Sequence, residues 1–147
     1  MSSIFVTDTS SLVSYFYTIF GAKQILSPKA RRIIEEALQS SNSNIKLSIP
    51  SVVFIEIYDK WFVREEAARK LKYEFYEVIK QSPNVEIKPI EQEVLNNVLM
   101  IGDELTSHDI HDKIILASAI MLQCPLITTD TKLIDYIEKH KPIPYVR

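Results

Sequence analysis

The stretch "IFVTDTS", residues 4–10, decides the fold prediction. Its first four residues favour a short buried strand, and Asp8 stands where that strand ends. A second stretch, "PLITTDTK" at residues 125–132, has the same plan, with Asp130 after a strand-like run. If both strands lie in one parallel sheet, their carboxyl ends share an edge, which is where such sheets bind ligands. The alternative is that each aspartate only caps the helix that follows it, a role that stabilises a helix by roughly 1 kcal/mol.

Strand-like and helix-like segments alternate along the rest of the chain. The segment after Pro50 is rich in β-branched residues and therefore ambiguous, but its length favours a helix. The predicted strands are residues 4–7, 45–50, 85–90, 125–129 and 143–146. The predicted helices are residues 10–21, 28–41, 51–62, 65–80, 91–105, 108–123 and 132–140, with a break near residues 106–107. This alternation predicts the α/β class, as a single domain over residues 1–147 with a parallel sheet of about four to five short strands flanked by helices.

The composition is typical of a globular protein. The 147 residues are 46% hydrophobic and 24% charged, and no apolar run is long enough to span a bilayer. The N-terminus enters a strand without the basic and apolar regions of a secretory signal, so we expect a cytoplasmic location. Cys124 is the single cysteine, which excludes a disulfide framework and a cluster of thiolate metal ligands. The net charge of −2 gives no general attraction to nucleic acid, so a polyanion site must be local or contain metal ions.

Glu56 is the acidic residue that fits its surroundings least. It lies in "SVVFIEIYDKW", residues 51–61, among neighbours that favour burial. Burying an unpaired carboxylate is costly. Either Lys60, one helical turn further on, forms an ordinary ion pair with Glu56, or Glu56 faces water or a cation at the rim of a cleft.

The segment "SHDIHDKIILASA", residues 107–119, places two carboxylates at the start of a helix. Asp109 and Asp112 are three residues apart, so on a helix they project at about 60° from one another. Helix capping is again the alternative, with Ser107 or Asp109 as the N-cap residue and an acidic residue in the first turn. The sequence leaves both interpretations open.

The same segment contains two histidines, His108 and His111. Histidine metal sites usually collect several histidines from distant helices, and this chain has only one more, His140, in a charged tail. We therefore interpret His108 and His111 as solvated side chains at a polar helix start.

Together the acidic positions carry more weight than each alone. Asp8, Glu56, Asp112 and Asp130 could meet at one rim of the parallel sheet. Carboxylates gathered there would repel one another by a few kcal/mol per pair near 4 Å, at an effective dielectric constant of about 20. Divalent cations would relieve this repulsion, and ligands that offer only oxygen favour Mg²⁺ or Mn²⁺. Because these ions favour phosphate substrates, the pattern points to phosphodiester hydrolysis.

At these positions the sequence resembles the PIN-domain ribonucleases, in particular the toxins of virulence-associated toxin–antitoxin pairs. The family has an opening strand that ends in Asp-Thr/Ser-Ser/Asn, a helix with an acidic residue in an apolar setting, a helix that begins Asp-x-x-Asp-Arg/Lys, and a strand that ends in Thr-x-Asp. The matching residues are Asp8-Thr9-Ser10, Glu56, "DIHDKIILASA" at residues 109–119, and Thr128 with Asp130. The resemblance covers nearly the whole chain. One departure is Gln123-Cys124, where members often have a glycine before the last of these strands.

The resemblance implies an endoribonuclease that depends on Mg²⁺ or Mn²⁺, in which a water activated by the metal attacks phosphorus. It further implies that Ser10 and Thr128 orient carboxylates or waters, and that Lys113 and Lys132 guide single-stranded RNA. A toxin of this type also implies a possible antitoxin partner. The metal ligands implied are Asp8, Glu56, Asp112 and Asp130, with Asp109 as an accessory ligand.

Beside the nuclease, the sequence leaves one prediction about association and two alternative functions. The segments "SYFYTIF" (residues 14–20) and "YEFYEVI" (residues 73–79) have more aromatic residues than one helix face usually buries, which predicts a homodimer or the capture of an amphipathic partner segment. Ordinary core packing is the alternative. The opposing hypothesis for the whole chain is a non-catalytic α/β interaction domain, whose acidic residues are scattered helix caps and ion pairs. A phosphoacceptor receiver domain fits less well, because it needs paired acids where Asp8 is followed by Thr9 and Ser10.

Overall fold

A central parallel sheet confirms the predicted fold class. The computed structural model of the chain describes residues 3–61, 64–105 and 109–147, with the backbone alone at residues 103 and 104. The strands in these ranges are β1 (Ser3–Thr7), β2 (Ile45–Pro50), β3 (Val85–Lys88), β4 (Leu126–Ile127) and β5 (Tyr145–Val146). They form one five-stranded sheet in the order β3-β2-β1-β4-β5, and every neighbouring pair is parallel. β1 therefore lies at the centre, and β4 lies between β1 and the edge strand β5.

Helices connect the strands, as the alternation of segments predicts. The α-helices of the described ranges are α1 (Thr9–Tyr15), α2 (Tyr17–Phe20), α3 (Pro28–Gln39), α4 (Ser51–Trp61), α5 (Glu65–Lys70), α6 (Glu77–Gln81), α7 (Gln92–Ile101), α8 (Ile110–Leu122) and α9 (Thr131–His140). A π-helical section, Leu71–Tyr76, joins α5 to α6, and a 3₁₀ turn, Gly102–Leu105, follows α7. α4 confirms that the ambiguous segment after Pro50 is a helix.

The register of β1 and β4 brings the two strand ends to the same edge of the sheet. Thr7 of β1 is the partner of Ile127 in β4. The backbone N–H of Asp8 donates to the carbonyl of Ile127 at 3.1 Å, so the pairing continues to the end of β1. Asp8 and Asp130 consequently follow neighbouring parallel strands at their carboxyl ends, as the sequence predicts.

Helix α8 packs against β1, α4 and α7 and joins the sheet to the helices around it. Its small residues Ala117 and Ala119 are fully buried, and small side chains allow close packing against the sheet. The core that this packing closes is aliphatic and aromatic, and its fully buried members include Val6, Leu47, Ile49, Phe75, Ile115, Leu116 and Leu126. This core holds the N-terminal end of α8 at the edge where β1 and β4 end.

Two of the predicted helices are interrupted in the structure, and a third, predicted over residues 91–105, ends at Ile101 before the 3₁₀ turn. The helix predicted from residue 10 divides at Phe16, which has φ −90° and ψ 35°. The helix predicted over residues 65–80 contains the π-helical section around Phe75. The Phe75 ring contacts Phe16, Phe20 and Phe54 at centroid distances of 5.1, 5.2 and 5.8 Å. A helical period in the sequence does not predict these interruptions, because they accompany packing between aromatic rings from distant segments.

The turn before β4 keeps a left-handed residue without glycine. Gln123 has φ +53° and ψ 44°, at the position where related sequences were expected to have glycine. Its side-chain amide donates to the carbonyl of Ile120 at 2.7 Å. A left-handed conformation costs a residue with a side chain roughly 1–2 kcal/mol. The turn before β4 is therefore formed at this cost, without a glycine.

Some expectations concern residues outside the described ranges. These are the predicted helix break near residues 106–107, the interpretation of Ser107 as an N-cap and the interpretation of His108 as a solvated side chain. Within the described ranges, no helix is both long and apolar enough to cross a membrane.

Candidate functional site

Asp8 is a buried carboxylate at the junction of β1 and α1. Only 3% of the residue is exposed. Its Oδ1 accepts from the backbone N–H of Ser11 at 2.8 Å, which makes Asp8 the N-cap of α1. Its Oδ2 accepts from the Thr128 hydroxyl at 2.5 Å. Burial raises the pKa of Asp8 above its usual value, although these hydrogen bonds act in the opposite direction.

Asp130 occupies the matching position after β4 and caps α9. Its Oδ1 accepts from the backbone N–H groups of Lys132 at 2.9 Å and Leu133 at 3.2 Å. Its negative charge adds to the effect of burial in raising the pKa of Asp8. The buried Thr128 hydroxyl links the Asp8 carboxylate to the backbone of Asp130, because it donates to Asp8 Oδ2 and accepts from the Asp130 backbone N–H at 3.1 Å.

Glu56 reaches the same region from α4. Its side chain is 27% exposed, and its Oε1 accepts a hydrogen bond from the hydroxyl of Thr9, the residue after Asp8. The predicted alternative, an ion pair between Glu56 and Lys60, is not among the ion pairs of the described residues. The Lys60 ammonium instead lies over the Trp61 ring, 5.0 Å from its centroid. Glu56 therefore belongs to the rim of a cleft, as the other interpretation of the sequence proposed.

The start of α8 brings Asp109 to this rim and has Asp112 in its first turn. Asp109 is the N-cap residue, and its Oδ1 accepts from the backbone N–H of His111 at 2.8 Å. Asp112 lies in the first turn and is half-buried, and its backbone N–H donates to the Asp109 carbonyl at 3.1 Å. Asp109 is thus a helix cap, and one of its carboxylate oxygens lies within 4.8 Å of a carboxylate oxygen of Glu56.

The interpretation of His111 as a solvated side chain is wrong. Its ring is only 29% exposed, and its Nδ1 lies 2.7 Å from Asp109 Oδ1 and 4.0 Å from Glu56 Oε2. This nitrogen is inaccessible to solvent and has no hydrogen bond of acceptable geometry to any described residue. The sequence contained one signal: the backbone N–H of a residue two positions after an N-cap aspartate can bond to that aspartate, which brings its side chain near the cap.

Glu56, Asp109 and His111 can together hold a metal ion. Each offers one ligand atom, and these three atoms all lie within 4.8 Å of one another. Two carboxylate oxygens and an imidazole nitrogen form a donor set that suits a divalent transition ion. Among the described residues this is the one such group of three, so Asp8, Asp112 and Asp130 lie outside it. The acidic residues predicted from sequence thus fall into two parts, one around Asp8 and one around His111.

The Thr9 hydroxyl joins these two parts, and sequence reasoning missed it. Ser10, which was expected to orient a carboxylate or a water, is exposed. Ser10 and Thr9 line a groove of about 390 Å³ together with Glu56 and Trp61. Thr128 does contact Asp8, by the hydrogen bond described above.

The two lysines predicted to bind RNA differ in their surroundings. The Lys113 ammonium donates to the Gly102 carbonyl at 3.0 Å and is half-buried. Lys132 is exposed at the start of α9, beside Asp130. Two other cationic residues, Lys23 and Lys60, line the groove next to Glu56.

Comparisons with known proteins identify the fold. The sequence pattern that defines the PIN domain matches residues 5–139. Curated proteins give no significant match. The chain is similar to the solved structures of VapBC2 from Rickettsia felis bound to a DNA fragment from their promoter (16% identity, TM-score 0.64), FitAcB from Neisseria gonorrhoeae (10%, 0.65) and VapBC-1 from nontypeable Haemophilus influenzae (17%, 0.61). Each alignment covers 97% of this chain and 96% of the other chain, and at such identities it shows the fold alone.

Proposed function

Because the chain belongs to the PIN-domain family, whose members are typically nucleases, we propose that it is a divalent-metal-dependent endoribonuclease of the toxin type that cuts single-stranded RNA. The observation that carries this proposal is the edge of the sheet where β1 and β4 end. There the Thr128 hydroxyl connects Asp8 to Asp130, and the Thr9 hydroxyl bonds to Glu56. If the acidic residues were only helix caps, there would be no reason for residues from three separate segments of the chain to come together.

The acidic residues fit a divalent cation of the kind that PIN nucleases generally use. Asp8 is a buried carboxylate, and a nearby cation would stabilise its charged form. Oxygen ligands favour Mg²⁺ or Mn²⁺. Such an ion would supply an activated water and would stabilise negative charge on the phosphate. The residues proposed to hold it are Asp8, Glu56, Asp109, Asp112 and Asp130.

The neighbouring hydroxyl groups position these carboxylates. Thr128 and the Ser11 backbone N–H hold one oxygen each of Asp8, so its orientation is set before any ligand arrives. Thr9 holds one oxygen of Glu56 in the same way. Ser10 is exposed in the groove beside Glu56, where its hydroxyl can orient a water or a phosphate oxygen.

The groove beside Glu56 supports a single-stranded substrate. The cationic residues Lys23 and Lys60 line this groove and would attract the phosphates. Lys132 is exposed beside Asp130 and extends the cationic side chains around the site. Lys113 would contribute its charge from its bond to the Gly102 carbonyl. This local arrangement compensates for a net charge of −2 on the whole chain.

A cleavage assay tests the proposal. We expect the purified protein to cut single-stranded RNA with Mg²⁺ or Mn²⁺ and to leave 5′-phosphate and 3′-hydroxyl ends, because water rather than the ribose 2′-hydroxyl attacks phosphorus. Excess chelator should stop cleavage, and added metal should restore it. Cleavage that persists in chelator, or products with 2′,3′-cyclic phosphates, would contradict the mechanism.

The partner of such a toxin would be an antitoxin protein, and the protein would act in the cytoplasm. The similar solved structures include the VapBC and FitAcB proteins, which supports this part of the proposal. Tyr17 and Tyr73 are 43% and 60% exposed, so the aromatic segments retain surface for a partner or a homodimer. Light scattering at high micromolar concentration, with and without a co-expressed neighbouring protein, tests both associations.

The sheet extends beyond the family match, because β5, which follows residue 139, pairs with β4. This pairing supports one domain over residues 1–147.

A further inference from the structure

We propose that His111 is a direct ligand of the divalent cation, so that Glu56, Asp109 and His111 form a site with both nitrogen and oxygen ligands. This inference rests on the proposed function only in assuming that a divalent cation binds at this edge of the sheet. It changes the expected chemistry of the site, which from the acidic residues alone would contain oxygen ligands only.

The geometry of the helix start carries the inference. The Asp109 carboxylate accepts the His111 backbone N–H at 2.8 Å. His111 Nδ1 lies 2.7 Å from Asp109 Oδ1 and 4.0 Å from Glu56 Oε2. Ligand atoms bound to one ion at about 2.1 Å lie roughly 3 Å apart when they are neighbours in an octahedron. Small side-chain rotations would therefore bring all three atoms to one ion.

The second observation concerns the burial and hydrogen bonding of the His111 ring nitrogen Nδ1. His111 Nδ1 is inaccessible to solvent, yet it has no hydrogen bond of acceptable geometry to the described residues. A buried polar atom without such a bond is unfavourable, and a cation at this point would satisfy it. The two carboxylates beside it provide the negative charge that a divalent cation needs.

A different role for His111 makes the opposite prediction. A protonated His111 could itself be the cation between Glu56 and Asp109, and it would then compete with a metal ion for the same carboxylates. If His111 is a ligand, removing its ring weakens metal binding. If it is a competing cation, removing the ring strengthens metal binding. The preference among ions should also change, because an imidazole ligand favours later transition ions such as Co²⁺, whereas Mg²⁺ prefers oxygen ligands.

Spectroscopy on the unmodified protein tests ligation directly. Mn²⁺ bound to the full chain should show nitrogen modulation in electron spin echo experiments, and labelling the histidines with ¹⁵N should change the modulation. This measurement needs no variant, so it remains informative if a substitution at residue 111 prevents folding. A Mn²⁺ complex whose spectrum shows no histidine nitrogen would overturn the inference.

Calorimetric titration gives the second test. In His111→Ala we expect the affinity for Mn²⁺ and for Co²⁺ to fall at least about tenfold, because even residues that only support metal ligands have effects of this size. The affinity for Mg²⁺ should change by less than about threefold. His140→Ala is the matched control, since His140 is an exposed histidine at the end of α9. Equal or tighter Mn²⁺ binding by His111→Ala would overturn the inference in favour of the competing cation.

Failure of the inference and failure of the proposed function are distinguishable. Metal-dependent RNA cleavage by a protein whose Mn²⁺ spectrum lacks histidine nitrogen would leave the nuclease proposal intact and exclude His111 as a ligand. Histidine-bound Mn²⁺ in a protein that cuts no RNA would establish the ligand and reject the nuclease.

Discussion

The ends of β1 and β4 have the same Thr-Asp-Thr sequence but different surroundings. Asp8 is almost completely buried, whereas Asp130 is half-buried. The threonine after Asp8, Thr9, is buried and bonds to Glu56, whereas Thr131, after Asp130, is exposed. Both aspartates cap the following helix, so their local roles are alike. The difference teaches that one local motif can serve two environments, depending on its place in the sheet.

The position of the two strands accounts for the difference. β1 is the central strand and contacts α8, while β4 is followed by the edge strand β5. Because α4 and α8 both reach the end of β1, its polar residues are removed from water and must find partners in the protein. The end of β4 is more open, so Asp130 keeps access to solvent.

Loss of cleavage should be the largest effect at these two strand ends. We expect Asp8→Asn and Asp130→Asn each to lower the rate of RNA cleavage by more than about a hundredfold, because each removes one charge from the proposed metal site. Asp112→Asn should have an effect of the same size. Rates measured at saturating Mn²⁺ with excess RNA provide the comparison. Asp59→Asn, an exposed acid of α4, is the control. If Asp130→Asn cleaves RNA as fast as the parent, the two strand ends do not contribute equally to the site.

Thr9 and Thr131 provide a matched test of the next largest effect. Thr9→Val removes the hydroxyl that bonds to Glu56, and we expect metal affinity to fall by about 10–100-fold. Thr131→Val has no such partner among the described residues, so its metal affinity should equal that of the parent. Calorimetric titration with Mn²⁺ measures both. If Thr9→Val and Thr131→Val bind Mn²⁺ with equal affinity, the burial of the Thr-Asp-Thr motif around Asp8 has no influence on the site.

The stability of the metal-free protein should respond differently to the two aspartates. Burial raises the pKa of Asp8, so the folded state binds more protons than the unfolded state between the two pKa values. The free energy of unfolding therefore decreases as the pH rises from about 4, the usual carboxyl pKa, through the folded pKa of Asp8. The Asp8→Asn variant has no carboxyl group at this position, so its free energy of unfolding does not decrease in this way. Asparagine is also a good N-cap. The variant should melt at or above the parent temperature near pH 7 in chelator.

Thermal melts in chelator across this pH range measure the difference between parent and variant. With saturating Mg²⁺ or Mn²⁺ the parent should instead melt above the Asp8→Asn variant, because a ligand that binds only the folded parent raises its stability. Lower melting of the metal-free Asp8, Asp112 and Asp130 variants, together with metal stabilisation equal to that of the parent, would identify all three aspartates as structural caps.

The capping role of Asp130 should produce the smallest effect. Asp130→Ala removes the acceptor of the Lys132 and Leu133 backbone N–H groups and should lower the free energy of unfolding by about 1 kcal/mol. Asp130→Asn keeps an acceptor, so we expect a change within about 0.5 kcal/mol. Chemical denaturation in chelator separates the two variants. A large loss in both would show that the charge, and not the cap, stabilises the end of β4.

Much of the fold was predictable from sequence because local patterns carried the information. The alternation of strands and helices predicted the parallel sheet, and the family match over residues 5–139 agrees with it. The helix break at Phe16 and the π-helical section around Phe75 were missed. Both accompany contacts between aromatic rings from separate helices, which no window of sequence contains.

By itself, the sequence determined the order of the elements and the acidic residues at strand ends and helix starts. Those features depend on neighbouring residues, such as the strand that precedes Asp8 or the helix that follows Asp109. Only the tertiary structure decided that Asp8 is buried while Asp130 is not, and that His111 lies beside Glu56. The physical reason is that burial and ligand geometry depend on contacts between α4, α8 and the sheet, which are far apart in the chain and meet only when the core is packed.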